Sequence, residues 1–253
     1  MTDAIQEGSI VYRFKTPAED ANTLYVNMIG RYGCWNDCLF CGRPRLDPAE
    51  GSDGSGGWRP NVYEEKAGTS LYLRKSPSVV TVLDAIDNEI KQEDREIAIV
   101  GLGEPLMELP KVCGVIGSIK GKYGVHKIGV RVDTDGLVKC VYPEPAKRLE
   151  DAGLDEVRIS VNAVNGEDYV RLCRPTLGST PWVFGKLVDF VRDCVSSSMI
   201  TKASFVIGFE CDDPSGRGGM IATRPQQEYE DFAGTLGIPP EDIIWRQYVP
   251  TPD

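Results

Sequence analysis

Short apolar runs alternate with helix-like segments along most of this 253-residue chain, and that alternation limits the folds open to it. Six runs read as strands: "TLYVNMI" (23–29), "IAIVGLGEP" (97–105, closing in a glycine turn), "KIGVRVDTDG" (127–136, strand and turn), "EVRISVNA" (156–163), "KASFVIGFE" (202–210) and "IIWRQYVP" (243–250). Between them Val82, Ile86 and Ile90 recur at helical spacing in 81–96, and 111–124, 144–153, 180–197 and 225–237 read as further helices. Regular βα alternation predicts an α/β fold with a parallel sheet and right-handed crossovers. Either a doubly wound open sheet or part of a (β/α) barrel satisfies it, and both put the ligand site at the C-terminal strand ends. The chain reads as a single domain over 1–253, with a flexible Gly/Ser-rich insertion at about 46–70.

The unusual residues fall at those strand ends. "GLGEP" closes the second strand, "DTDG" the third, "SVNA" the fourth and "GFECDD" the fifth. After the first strand comes "GCWNDCLFCGRPR" (33–45), which spaces Cys34, Cys38 and Cys41 as C-x3-C-x2-C. The other five cysteines, Cys113, Cys140, Cys173, Cys194 and Cys211, are scattered singly. With 38 acidic residues against 28 basic, the net charge of -10 disfavours broad binding to phosphate backbones or anionic membranes. No run approaches the roughly 18 apolar residues of a membrane span, and "MTDAIQEGSI" does not read as a signal peptide. A cytoplasmic protein is expected, whose clustered thiols point to metal or catalysis before disulfides.

Three reduced thiols in a loop are the plain alternative. A structural zinc site normally takes four protein ligands, whereas this loop supplies three and the chain's only histidine, His126, precedes the third strand. A [4Fe–4S] cluster takes one thiolate per iron, so three ligands leave one iron open to a small molecule.

With Phe40 just before the third cysteine and "GLGEPL" after the second strand, the chain resembles the radical SAM enzymes. The resemblance implies a partial (β/α)6 barrel of TIM-like type, a [4Fe–4S] cluster on Cys34, Cys38 and Cys41, and S-adenosylmethionine (SAM) chelating the open iron. One-electron cleavage of SAM would yield a 5′-deoxyadenosyl radical, the cofactor carrying the hard chemistry. "NTLYVNMIGRYGCWNDCLFC", "EVRISVNAVNGEDYVRLCRPTLG" and "WRQYVP" are similar to the TatD-linked subfamily, with Asp135 where that pattern usually has asparagine.

The resemblance also distributes roles. Gly103 and Glu104 would offer backbone groups to the SAM ammonium, glycine permitting close approach; a tight turn is the alternative. Asp133 and Thr134 would meet the ribose hydroxyls, or cap their turn. Ser160 and Asn162 share a strand face by alternation and would hold the SAM carboxylate, with Arg158 on the same face. Ile207 and Gly208 would pack against adenine, or serve the core. Arg246 and Tyr248 share a face on the last strand as weaker candidates. Cys140, Cys173 and Cys211 follow strands at the same rim, where one could supply a fourth ligand, while Cys113 and Cys194 read as packed or surface thiols. Arg171 and Arg174 are candidates for an anionic substrate or for salt bridges.

The expected function is hydrogen abstraction from a small metabolite or nucleotide-like substrate, with an external flavodoxin- or ferredoxin-type electron donor. An activase placing a radical on a partner protein, an RNA-modifying enzyme, and a non-enzymatic iron–sulfur or zinc module are the competing readings. The acidic charge counts against nucleic acid as a partner.

Overall fold

A computed structural model describes residues 7–14, 22–43, 62–124, 128–178, 180–208 and 224–248. One sheet runs in chain order through β1 (Val11–Tyr12), β2 (Thr23–Val26), β3 (Glu96–Ile99), β4 (Gly129–Thr134), β5 (Glu156–Ser160), β6 (Ile200–Ile207) and β7 (Ile243–Gln247). From β2 to β7 every neighbour is parallel, and β1 adds an antiparallel edge. A doubly wound sheet would reverse its strand order at a switch point; sequential order is that of a barrel. β1 and β7 do not pair, so the barrel is open, with the six expected parallel strands. β1 itself has no sequence counterpart above, because only two residues of it pair.

Alternation sorts the strands into two faces. Leu24, Val26, Ile97, Ile99, Val130, Val132, Val157, Ile159, Ala203 and Phe205 belong to the main core. That core is completed by helices α2 (Val79–Glu89), α3 (Leu109–Tyr123), α4 (Pro145–Asp151), α5 (Gly166–Cys173), α6 (Thr180–Val195) and α7 (Gln226–Thr235). Ser78 caps α2, its hydroxyl accepting from Thr81 N–H at 3.1 Å. On the inner face Tyr25 and Ala98 join Tyr12, Tyr32, Leu71 and Tyr72 in a smaller, aromatic cluster. Farther round the sheet the inner face turns polar. Arg246 of β7 reaches Asp133 of β4 at 3.4 Å, past two intervening strands. Only a strongly curled sheet brings those residues together.

Two elements depart from the sequence reading. Of the insertion read as flexible, 46–61 lies outside the described residues, but α1 (Val62–Ala67) is a helix and its Glu64 is fully buried. α5 was not expected: Asn165 caps it by accepting from Asp168 N–H at 2.9 Å. No helix among the described residues is long and apolar enough to cross a membrane.

Candidate active site at the strand ends

β2 leads through a short turn, Gly30–Tyr32, into the cysteine loop, with Arg31 and Tyr32 both at positive φ. Residues between the cysteines anchor the loop. Trp35 and Leu39 are buried in the main core. The backbone docks on the C-terminal end of α5: Asp37 N–H donates to Cys173 O at 3.0 Å, Leu39 N–H to Leu172 O at 2.9 Å, and Thr176 N–H to Trp35 O at 2.8 Å. Arg43 straps the loop internally, donating to Tyr32 O at 2.9 Å and Asn36 O at 2.8 Å. The three cysteines remain half-buried on this frame.

Glu104 forms the adjoining wall. It is 1% exposed and accepts from Leu106 N–H at 2.8 Å, Thr134 Oγ at 2.8 Å and Asp135 N–H at 2.5 Å. Its own N–H donates to Gly33 O at 2.8 Å. Gly103 lies at φ +154, and a Cβ there would meet Gly33 O at 2.3 Å. The glycine thus admits the cysteine loop's own backbone. Asp135 completes the contact: its Oδ2 lies 3.6 Å from Cys34 Sγ and accepts from Asn36 Nδ2 at 3.2 Å. Position 135, where the sequence pattern usually has asparagine, touches Cys34.

Other expected groupings divide. Asp133 and Thr134 are adjacent on β4 and therefore face opposite ways. Thr134 is buried, bonded to Glu104 and accepting from Gly136 N–H at 3.0 Å. Asp133 faces inward with Arg131 and Arg246. Ser160 and Asn162 share no strand face, because β5 ends at Ser160 and Asn162 sits at φ 59. Ser160 Oγ lies inward, 3.3 Å from Ser204 Oγ. The Asn162 amide ties β5 to β6, accepting from Val206 N–H at 3.2 Å and donating to Ser160 O at 3.2 Å. Ile207 ends β6 and accepts from Tyr248 N–H at 2.8 Å. Gly208, at φ +74, makes room for Gln247, whose Nε2 would lie 1.9 Å from an added Cβ. Arg158 pairs with Glu156 at 2.5 Å on the inner face. Arg171 faces out on α5, 4.0 Å from Glu167, and Arg174 serves as the positive-φ cap of that helix.

Residues 28–193 match the family described as Radical SAM superfamily. The chain belongs to the radical SAM superfamily. Its cofactors are a [4Fe–4S] cluster and SAM, and it is an enzyme whose particular reaction the family leaves open. Over 169 residues it is 22% identical to a Microcystis aeruginosa protein described as "Probable dual-specificity RNA methyltransferase RlmN", covering 66% of this chain and 42% of that one. Among solved structures it resembles anSMEcpe with bound AdoMet (TM-score 0.53, 14% identity, 90% of this chain and 51% of that one). It also resembles the FeFe-hydrogenase maturase HydG of Carboxydothermus hydrogenoformans (0.53, 15%, 90% and 45%). These likenesses show the fold, and the chain spans about half or less of each relative's length.

A [4Fe–4S] cluster would take one thiolate from each of Cys34, Cys38 and Cys41. Among the described residues no three Cys, His, Asp or Glu side chains converge closely enough to share a single metal ion. A four-iron cube offers each thiolate its own iron, so ligands can surround it without meeting at a point. The local field sets the requirement for ligation. Burial, then Asp135 and Glu104, push the Cys34 thiol well above its usual range; Arg43 and Asn36 N–H oppose them. Cys38 is pushed up by a hydrogen bond shared with the Cys173 thiol and by burial. Burial raises Asp135 to about 6. Bound iron would reverse this balance, since ligation deprotonates a thiol outright.

Of the scattered cysteines, Cys173 has its thiol against a motif cysteine, Cys38. Cys140 is half-buried, raised to about 11 by burial and Asp135. Cys194 lies in the core on α6, Cys113 on α3, and Cys211 outside the described residues. Sequence reasoning missed Arg43, Asn36 and Tyr169, whose hydroxyl lies 3.0 Å from Asn36 Nδ2. None belongs to a spacing motif. The Asn165/Asp168 capping pair was the available signal for α5.

Proposed function

We propose that this chain abstracts hydrogen from a small metabolite or nucleotide-like substrate bound in the barrel lumen. The observation carrying the proposal is that the three-cysteine loop and the polar inner faces of β4 to β7 meet at one rim, in a chain whose residues 28–193 match the radical SAM family. Reductive cleavage of SAM at the cluster supplies a 5′-deoxyadenosyl radical. Cys34, Cys38 and Cys41 hold three irons in this proposal, leaving the fourth to the SAM amino and carboxylate groups. Asp133 and Ser160, both on the inner face, are the side chains we assign to SAM contact. Phe40, Ile207 and Gly208 shape the adenine region. Gly103, Glu104, Thr134 and Asn162 contribute through the backbone they hold in position. An external flavodoxin- or ferredoxin-type protein delivers the electron, and the setting is cytoplasmic. Within the superfamily we assign the chain to the TatD-linked subfamily on its sequence patterns.

Anaerobic reconstitution, followed by a search for substrate-dependent 5′-deoxyadenosine, tests the proposal. Deuterium transferred from a labelled candidate into that product identifies the abstraction site; a protein that binds the cluster but never cleaves SAM sinks the reading. The likeness to an RNA methyltransferase supports RNA modification as a second reading. Methyl transfer to RNA in the same assay would favour it, against the acidic charge of the chain.

A further inference from the structure

The inner faces of β4 to β7 carry an uneven set of charges. Asp133, Arg158 and Lys202 stand in register across β4, β5 and β6, and Arg131 stands opposite Glu156 one row nearer the N-terminal strand ends. Glu156 takes both Arg158, at 2.5 Å, and Lys202, at 3.0 Å. Glu96 takes Arg131 at 3.3 Å. Asp133 is left to two cations, Arg131 at 3.2 Å and Arg246 at 3.4 Å. Along the inner faces of β3 to β7 four cations, Arg131, Arg158, Lys202 and Arg246, therefore face three carboxylates, Glu96, Asp133 and Glu156. On those strand faces the cations exceed the carboxylates by one, in a chain whose net charge is -10.

The geometry is as incomplete as the charge. Arg131 is 2% exposed, yet its Nε and Nη1 are aligned for no hydrogen bond, and neither is the buried Oδ1 of Asp133. They sit at ion-pair distance without hydrogen-bond direction. The Arg246 side chain is 41% exposed, and its one hydrogen-bond partner among the described residues is Asp133. A guanidinium held at one nitrogen keeps the fork that pairs two-to-two with a carboxylate or phosphate. Arg246 stands opposite Val206, one residue before the C-terminal end of β6, and so lies at the end of the lumen from which the cysteine loop leaves β2.

We infer that Arg246, backed by Arg131 and Asp133, binds an anionic group, phosphate or carboxylate, carried by the substrate. The inference rests on the proposed radical SAM chemistry with substrate in the lumen. Asp133 holds the guanidinium until the anion arrives and takes the open side of the fork. SAM brings a carboxylate of its own and is the other source of the same chemistry.

Binding of inorganic phosphate and of carboxyl-labelled acetate to the anaerobically reconstituted full chain tests this. Broadening of the phosphorus and labelled-carbon resonances is followed with and without saturating SAM. At least one probe is expected to broaden, and to stay broadened when SAM is bound. Arg246→Gln should weaken that binding by about tenfold or more, the loss expected for a charge-assisted pair. Arg246→Lys, which keeps the charge and loses the fork, should weaken it less, and the exposed Lys147→Gln not at all. Circular dichroism and cluster content are read on every variant, and Arg246→Lys decides the matter if Arg246→Gln misfolds. Displacement of both probes from wild type by SAM would assign the site to SAM's carboxylate and overturn the inference. So would no broadening of either probe, or equal broadening in a folded Arg246→Gln protein. Wild type that takes up no cluster, or shows no spectral response to SAM, instead strikes the radical SAM proposal, and the two probes are then read on the apoprotein.

Discussion

Tyr32 donates its phenolic hydrogen to Glu64 at 2.9 Å, joining the turn before the cysteine loop to α1. The same carboxylate oxygen accepts from Leu71 N–H at 2.8 Å. Glu64→Ala leaves two buried donors without an acceptor, each costing about 1–3 kcal/mol. We expect a lower unfolding midpoint and less iron retained per chain after reconstitution, with Glu64→Gln milder on both. Unchanged iron retention in a destabilised Glu64→Ala protein would show that α1 does not support the loop.

Gly103→Val should remove iron and SAM binding together. The obstruction is the Gly33 carbonyl, 2.3 Å from the added Cβ, and Gly33 immediately precedes Cys34. Iron content and SAM affinity of the variant are measured side by side; full iron with weak SAM binding would place the glycine's role at the ligand instead.

Single changes of Cys34, Cys38 or Cys41 to Ala should abolish the cluster's visible absorbance and SAM cleavage. Cys173→Ala should keep a four-iron cluster that still responds to SAM in the electron paramagnetic resonance spectrum. Cys173 touches Cys38, so its thiol is the described fourth donor most able to close the site. A cluster lost from Cys173→Ala, with no SAM response in wild type, would make this an electron-transfer or structural iron–sulfur protein.

Asp94 supplies a pH signature away from the site. Burial acts to raise its pKa, but the two-pronged contact with Arg13, 2.7 Å at each oxygen, and Lys91 N–H at 2.7 Å pull the net value below the usual carboxylate range. A folded-state pKa below the unfolded one contributes stability at neutral pH and loses it as pH falls through the depressed value. Asp94→Asn should cost about 1–3 kcal/mol at pH 7. In urea melts the gap to wild type should narrow below about pH 4, near the unfolded aspartate value. A gap constant across that range would remove the ion pair from the account.

β2 and β3 were legible as short apolar runs, and β5 as an alternation in which Val157 and Ile159 face the core between Glu156, Arg158 and Ser160. Alternation alone also separates Asp133 from Thr134, since neighbours on a strand point to opposite faces. Ser160 and Asn162 defeated the same rule. The strand ends between them in two tight backbone contacts, Val161 N–H to Ile159 O and Ala163 N–H to Val161 O, and no side-chain pattern announces such a stop. The cysteines were legible from spacing. Their frame was not, because Arg43 binds carbonyls of its own loop and α5 offers the loop mostly backbone, neither of which constrains residue type at a fixed interval.

The docking of the cysteine loop on α5 also sets when the iron site can exist. Thr176 Oγ donates to Trp35 O across 141 positions of sequence, and the neighbouring backbone contacts span comparable distances. Such separations make loop closure slow and leave the contacts to form late. During synthesis the three thiols leave the ribosome more than a hundred residues before the helix that holds their loop. The nascent chain therefore passes through a stage with its cysteines exposed and unorganised. Iron delivered then meets three loose thiols, and iron delivered after α5 has docked meets a formed cradle.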